Sequence, residues 1–227
     1  GEIYSGYREK GYFPDAFINM LALLGWHGSG NQELYSKEEL TENFSLERVS
    51  KSGAKFDAEK TKWFNQQYLR LRTDEEMAKA LVKEIERKGE KEAIQAVTDD
   101  YLVEVCRLMK EKVSFVYEIF EQGRYFFSDP ATYDEGVIKK RWNAQAGVVM
   151  TAVKDAFASM QSWNAADCES TFKTAVESAG ANPGQLMQLF RVCVSGAAGG
   201  PVLFEMVALL GKDVVVRRIE TAIQKLR

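Results

Sequence analysis

The sequence predicts an all-α fold. Three observations carry it. Apolar residues recur at helical spacing through most of the chain, polar capping patterns open several of these stretches, and no stretch alternates as a half-buried strand does.

The elements follow in order. Pro14 suits a first helical position, Asp15 falls in the first turn and Gly25 ends the run. Phe17, Met20, Leu21 and Leu24 then share one face. Ser36 with Glu39, and Thr73 with Glu76, have the spacing of capping boxes. The second box leads into Met77, Ala80, Leu81, Glu84 and Ile85. Leu102, Val105, Leu108 and Met109 repeat the pattern, as do Phe172, Ala175, Val176 and Ala179 with Gly180 as the stop. A helix is expected to start at Pro201 and end at Gly211, and a last one to bury Val216, Ile219, Ile223 and Leu226. Ser128-Asp129-Pro130 reads as a turn, and Lys139-Lys140-Arg141-Trp142-Asn143 as a junction before a new apolar helix. No fixed-period repeat or low-complexity tract is present.

Composition narrows the class. At 227 residues and 45% hydrophobic content the chain can bury a real core. No apolar run approaches the roughly 20 residues of a membrane span. The first residues, Gly-Glu-Ile-Tyr, have no basic-then-apolar pattern, so no signal peptide is expected; trimmed ends are, because position 1 is not Met. Cys106, Cys168 and Cys193 are far apart and set among apolar neighbours, the pattern of buried reduced thiols in a cytoplasmic protein. The net charge of −3, from 30 basic and 33 acidic residues, argues against indiscriminate nucleic-acid binding and leaves room for one basic face.

The chain offers little chemistry. Its one histidine, His27, lies in a loop with no nucleophile or orienting carboxylate nearby in sequence. Gly28-Ser29-Gly30-Asn31 lacks the lysine and hydroxyl of a phosphate-binding loop and reads as a turn. The Asp99-Asp100 and Glu75-Glu76 pairs read as solvated helix starts. No catalytic or metal-ligating set is expected.

Two stretches stand out. In the first, Arg48, Lys51, Lys55, Lys60 and Lys62 are interleaved with Phe56, Trp63, Phe64 and Tyr68, a pattern suited to phosphate contacts on an aromatic scaffold. The competing reading makes the aromatics core and the lysines a solvated face. The second is Ser195-Gly196-Ala197-Ala198-Gly199-Gly200-Pro201, a glycine-rich loop running into a helix. A base or phosphate can approach such a backbone closely, and a tight interhelical connection is the plain alternative.

These stretches carry a resemblance. Gly11-Tyr12-Phe13-Pro14-Asp15-Ala16-Phe17-Ile18-Asn19, then Leu21 to Trp26, is similar to the segment after the ATP-binding loop of bacterial-type glutamyl-tRNA synthetases. Val49 to Asp57, followed by Lys60, Trp63, Asn65 and Tyr68, resembles that family's stem-contact region. Ser195-Gly196, Gly200-Pro201, Leu203-Phe204-Glu205 and Ala208 to Gly211 resemble its anticodon-binding end.

The resemblance implies a stem-contact helical domain over 1–72 and a two-bundle α-helical anticodon-binding cage over 73–143 and 144–227. It implies a catalytic domain absent from this chain, with ATP and Mg2+ belonging to that domain and no cofactor here. Val49-Ser50-Lys51-Ser52 then only imitates the family's second catalytic signature. Pro201 and Leu203 match family positions that contact anticodon bases. Gly200 stands where the family can have Thr, so a side-chain contact is lost. Lys112 stands where a family Arg senses the third base; it keeps the charge and loses the two-pronged geometry. The implied partner is glutamate tRNA, not DNA or membrane, bound by a cytoplasmic monomer. A helical protein-interaction module without an RNA role is the alternative from another class.

Overall fold

The structure, a computed structural model, describes residues 6–51, 53 and 55–226. Among these, twelve α-helices and four short 3-10 turns form the secondary structure, with one isolated antiparallel bridge between Trp26 and Val49. The all-α expectation holds. The chain forms two compact units, one of Gly1–Gly89 with Lys110–Glu121 and one of Glu90–Met109 with Gln122–Arg227. Among the described residues no helix is long and apolar enough to cross a membrane.

The first unit holds α1 (Pro14–Gly25), α2 (Lys37–Asn43), α3 (Ala58–Leu71), α4 (Asp74–Arg87) and nearly all of α6 (Val116–Gln122). Pro14 takes the first turn of α1, where its missing N–H costs nothing. Both capping boxes form, at α2 and α4, and Asp57 caps α3 by accepting from Glu59 and Lys60 N–H groups. Helix α1 packs on α3 around Ala16, Met20, Phe64 and Tyr68.

The buried face of α1 differs from the expected one. Met20 is inward as expected, but Leu21 is 47% exposed, and Ala16 and Asn19 join Met20 on the buried face. Asn19 brings the helix round: its Oδ1 accepts from the Tyr35 N–H at 2.9 Å and meets the Tyr68 hydroxyl at 2.9 Å. That hydroxyl proton is shared with the Tyr35 carbonyl. A buried amide oxygen without a partner would cost about 1–3 kcal/mol, so these contacts override the apolar count, while Asn19 Nδ2 has no partner among the described residues.

The second unit holds α5 (Asp99–Met109), α7 (Glu135–Arg141), α8 (Ala144–Ser159), α9 (Ala165–Ser178), α10 (Pro183–Ser195), α11 (Leu203–Leu210) and α12 (Lys212–Lys225). Helix α8 packs on α9 and α12, while α10 touches α7, α9 and α12. The rings of Phe157, Phe172, Phe190 and Phe204 meet at its centre, Phe172 and Phe190 stacking at 4.8 Å. Offset aromatic pairs of this kind add about 0.5–1.5 kcal/mol each beyond burial.

Three sequence readings shift here. Helix α11 begins at Leu203, not Pro201, because Val202, at φ −55° and ψ 123°, is the non-helical N-cap before it. Helix α12 centres its buried face on Val215, Arg218, Ile219 and Ala222, with Val216 and Leu226 only partly covered. The turn at Ser128-Asp129-Pro130 lies where expected, but of the expected junction Lys139 to Arg141 belong to the end of α7 and only Trp142 and Asn143 separate it from α8. The three cysteines are buried, with no disulfide among the described residues. Burial raises the Cys168 and Cys193 thiols to about 11 and about 12, which keeps them protonated at neutral pH.

Burial also pushes the phenols of Tyr68, Tyr101 and Tyr125 up to about 12. A raised folded-state pKa gives stability that is complete below the unfolded value near 10 and is lost as pH climbs toward 12. The urea midpoint is therefore expected to hold to about pH 10 and to fall steeply above it. Tyr101→Phe should make that fall shallower; an unchanged slope would refute the assignment.

Candidate nucleic-acid interface

The glycine-rich loop is built from the end of α10. Gly196 ends that helix at φ 76°. A Cβ there would lie 2.5 Å from the Thr132 carbonyl and 2.8 Å from Pro130, so only glycine fits. Asp134 N–H donates to Gly196 O at 2.9 Å and anchors the loop to the start of α7. Ser195 closes its inner edge, its hydroxyl donating to Arg191 O at 2.8 Å and accepting from Ala197 N–H at 3.2 Å.

Gly200 has φ 146°, a region close to glycine-only. A Cβ there would sit 3.0 Å from the Tyr125 hydroxyl and 3.1 Å from Arg191 Nη1. Glycine at this position is therefore a steric requirement of this backbone, beyond the lost side-chain contact expected from the sequence. Arg191 closes the far side: its Nη2 donates to Pro201 O at 2.8 Å. Its Nη1 is buried with no hydrogen-bond partner. Burial lowers the affinity of this guanidinium for its proton, the neighbouring Tyr125 acting in the opposite direction. Sequence reasoning missed Arg191. The only available signal was an arginine among the apolar residues of the α10 pattern.

The positions around Gly200 divide by exposure. Pro201 is buried and Leu203 is 6% exposed, whereas Gly200 is open and Val202 is 61% exposed. The accessible surface of the turn is the backbone of Gly199 and Gly200 and the side chain of Val202. Pro201 and Leu203 shape the turn from beneath.

Lys112 belongs to the first unit, in the 3-10 turn Lys110–Lys112. Its neighbours are committed: Lys110 donates to Arg72 O and pairs with Asp74 at 3.2 Å, and Glu111 lies 2.8 Å from Arg70 Nε. Lys112 is exposed and has no ion pair among the described residues.

The basic stretch of the first unit separates in the same way. Lys60 is tied to Glu33 and lies 5.9 Å above the Phe64 ring, and Lys62 lies 5.9 Å above Phe115. Arg48, Lys51 and Lys55 form no ion pair among the described residues, and Lys51 and Lys55 are exposed. Ser52 and Ala54, between those lysines, lie outside the described residues, so the signature-like Val49 to Ser52 stretch is only partly covered. Phe64 and Tyr68 are core, as the competing reading had it, but Phe56 and Trp63 are 40% and 37% exposed. Asn65 is a clamp: fully buried, it accepts from Phe13 N–H at 2.8 Å and donates to Ser114 O at 2.6 Å.

His27 is exposed, its Nδ1 3.4 Å from Gly28 O, with no other bond among the described residues. No group of three metal-ligating side chains occurs among the described residues.

Gly200→Ala is expected to cost about 1–3 kcal/mol of stability through forced φ and the crowding of Tyr125. Gly199→Ala, with open space at its Cβ, should be nearly neutral. Thermal unfolding compares the two, and equal losses would refute the strained geometry.

Comparison with known proteins places these features in a family. The family model "Anticodon binding domain" matches residues 66–223. The model "tRNA synthetases class I (E and Q), catalytic domain" matches residues 3–63, the segment for which the sequence implied stem contact. A glutamate–tRNA ligase of Amoebophilus asiaticus is 38% identical over 224 residues, covering 99% of this chain and 43% of that protein. One from Phocaeicola vulgatus is 40% identical over 227 residues, covering 100% and 44%. Among solved structures, a glutamate tRNA ligase from Elizabethkingia meningosepticum, in complex with its amino acid, superposes with a TM-score of 0.89 at 36% identity. That match covers 98% of this chain and 43% of the other. The glutamate–tRNA synthetase of Elizabethkingia anophelis gives 0.84 at 35% identity, over 96% and 42%. The chain thus spans less than half the length of these relatives.

Proposed function

Because this chain belongs to the anticodon binding domain family, we propose that it is the tRNA-gripping portion of a glutamyl-tRNA synthetase, reading the anticodon while chemistry proceeds elsewhere in the protein. In this reading residues 1–72 contact the stem, and 73–143 and 144–227 form the anticodon cage. The whole protein attaches glutamate to glutamate tRNA using ATP and Mg2+, acting as a cytoplasmic monomer.

The observation that carries the reading is the Gly200 turn. It offers an open glycine backbone and an exposed Val202, held from behind by the half-buried Arg191, whose Nη1 is enclosed without a partner. An unstacked base supplies what that turn lacks: an apolar face for Val202 and acceptor edges for backbone N–H. Arg48, Lys51 and Lys55, without ion pairs among the described residues, supply sequence-independent phosphate contacts and make affinity depend on salt. Lys60 and Lys62 contribute less, being engaged already with Glu33 and Phe115. Lys112 offers one mobile ammonium to a base edge, a point charge where a guanidinium would fix two acceptors.

The chain is expected to bind glutamate tRNA with an affinity that falls log-linearly as potassium chloride rises, and to lose about 1–3 kcal/mol when a contacted anticodon base is changed. Fluorescence anisotropy with labelled transcripts measures both. Equal affinity for an anticodon-scrambled transcript at moderate salt defeats the anticodon reading. Lys112→Ala should reduce third-base preference more than overall affinity; a uniform loss across transcripts would mark Lys112 as a phosphate contact.

A further inference from the structure

The second unit contains a cleft of about 440 Å3 where the end of α7, the start of α8 and the α9–α10 connection meet. Lys140, Arg141, Asn143, Gln145, Asn182 and Gln185 supply its polar lining, and no carboxylate lines it. By contrast, the cleft of the first unit, which has Lys10, Lys83, Arg87 and Lys88, also has Glu9, Glu84, Glu118 and Glu121.

The lining is biased toward hydrogen-bond donors. Lys140 and Arg141 have no acceptor capacity, and both are exposed without an ion pair among the described residues. The two asparagines have spent their oxygens: Asn143 Oδ1 accepts from Ala146 N–H at 2.8 Å, and Asn182 Oδ1 accepts from Gly184 N–H at 2.9 Å. Their amide NH2 groups have no partner among the described residues. Asn164, which caps α9, shows the alternative: its NH2 is taken up by Asp167 at 2.7 Å. No such acid stands beside Asn143 or Asn182, since the first turns of α8 and α10 contain none.

Basic residues in the last turn of α7 also offset that helix's own carbonyl end. That effect accounts for their sign. It does not account for donors contributed from two other elements to the same cleft.

From this we infer that the Lys140–Arg141 cleft binds a backbone phosphate of RNA, a contact separate from the Gly200 turn. The inference rests on the proposed tRNA-binding function and adds a second point of contact to it. The cleft and the turn lie at opposite ends of α10, whose 13 residues span about 20 Å. A contact at that remove from the bases, made through phosphate, adds affinity and register without sequence preference. Acceptor-rich phosphate oxygens match the donor-rich lining, and a guanidinium beside an ammonium suits a phosphodiester.

The test compares wild-type chain with Lys140→Gln/Arg141→Gln and with the charge-keeping Lys140→Arg/Arg141→Lys. Each is titrated with glutamate tRNA and with an anticodon-scrambled transcript across potassium chloride concentrations. Inorganic phosphate is titrated separately. Both positions are exposed, and circular dichroism with thermal unfolding checks that the variants fold.

The expected result is a double-glutamine variant whose log-affinity against log-salt slope is shallower by about one to two, with roughly three- to tenfold weaker binding to both transcripts at low salt. Its ratio between transcripts stays as in the wild type, and the charge-keeping variant recovers the slope. An unchanged slope overturns the inference, even if anticodon preference is intact. So does phosphate binding that the glutamines abolish while tRNA affinity is unaffected, because the cleft is then an ion site only. If instead the wild type shows no anticodon preference but the glutamines still flatten the slope, the anticodon reading fails and the cleft stands.

Discussion

Arg218 is 4% exposed, and its guanidinium joins three parts of the second unit. Its Nε donates to Asp129 at 2.9 Å, Nη1 to Val194 O at 2.9 Å and Nη2 to Ser128 O at 2.8 Å. A buried guanidinium costs several kcal/mol to desolvate, and hydrogen bonds from each of the three nitrogens offset that cost here. The consequence is positional. Val194 lies at the end of α10, and Ser128 and Asp129 lead into Pro130 and Thr132, the atoms that press on Gly196. Arg218 thereby holds the two sides of the passage through which the chain turns toward Gly200. The loop's shape depends on that passage, and the unpartnered nitrogen of Arg191 depends on the loop.

The first unit uses amides for the same purpose. Asn19 and Asn65 are fully buried. Asn19 joins α1 to Tyr35 and α3, and Asn65 joins α3 to the segments at Phe13 and Ser114. Both bind backbone groups that lie outside helices, where no regular ladder exists to satisfy them. Lys60 and Lys62 are carried on α3, which is fixed at Asn65 and Tyr68, whereas Arg48, Lys51 and Lys55 precede that helix. Phe56 and Trp63 are exposed in the same stretch.

Much of the candidate site was legible in the sequence, but in uneven ways. The glycine-rich loop was visible because its composition departs from the helical pattern on either side. The basic stretch was visible as charge interleaved with rings. What remained hidden was commitment. Lys60 and Lys62 look like Lys51 and Lys55 in the sequence, yet the first pair is engaged with Glu33, Phe64 and Phe115. Arg191 and Arg218 are ordinary arginines until burial gives one a missing partner and the other a full set. The Asn143 and Asn182 amides became informative only when their oxygens were seen to be occupied.

Helix identity and most helix boundaries were determined locally. Capping boxes at Ser36 and Thr73, Pro14 in a first turn and the stops at Gly25 and Gly180 all depend on residues within a few positions of one another. Such signals survive in a linear reading. The tertiary structure decided which face of α1 turns inward and why Gly200 is glycine. Each of these depends on an atom distant in sequence: the Tyr68 hydroxyl for Asn19, and Tyr125 and Arg191 for Gly200. Periodicity records which residues are apolar. The satisfaction of buried polar groups, which sets the final rotation of a helix and the shape of a loop, is a property of the packed chain.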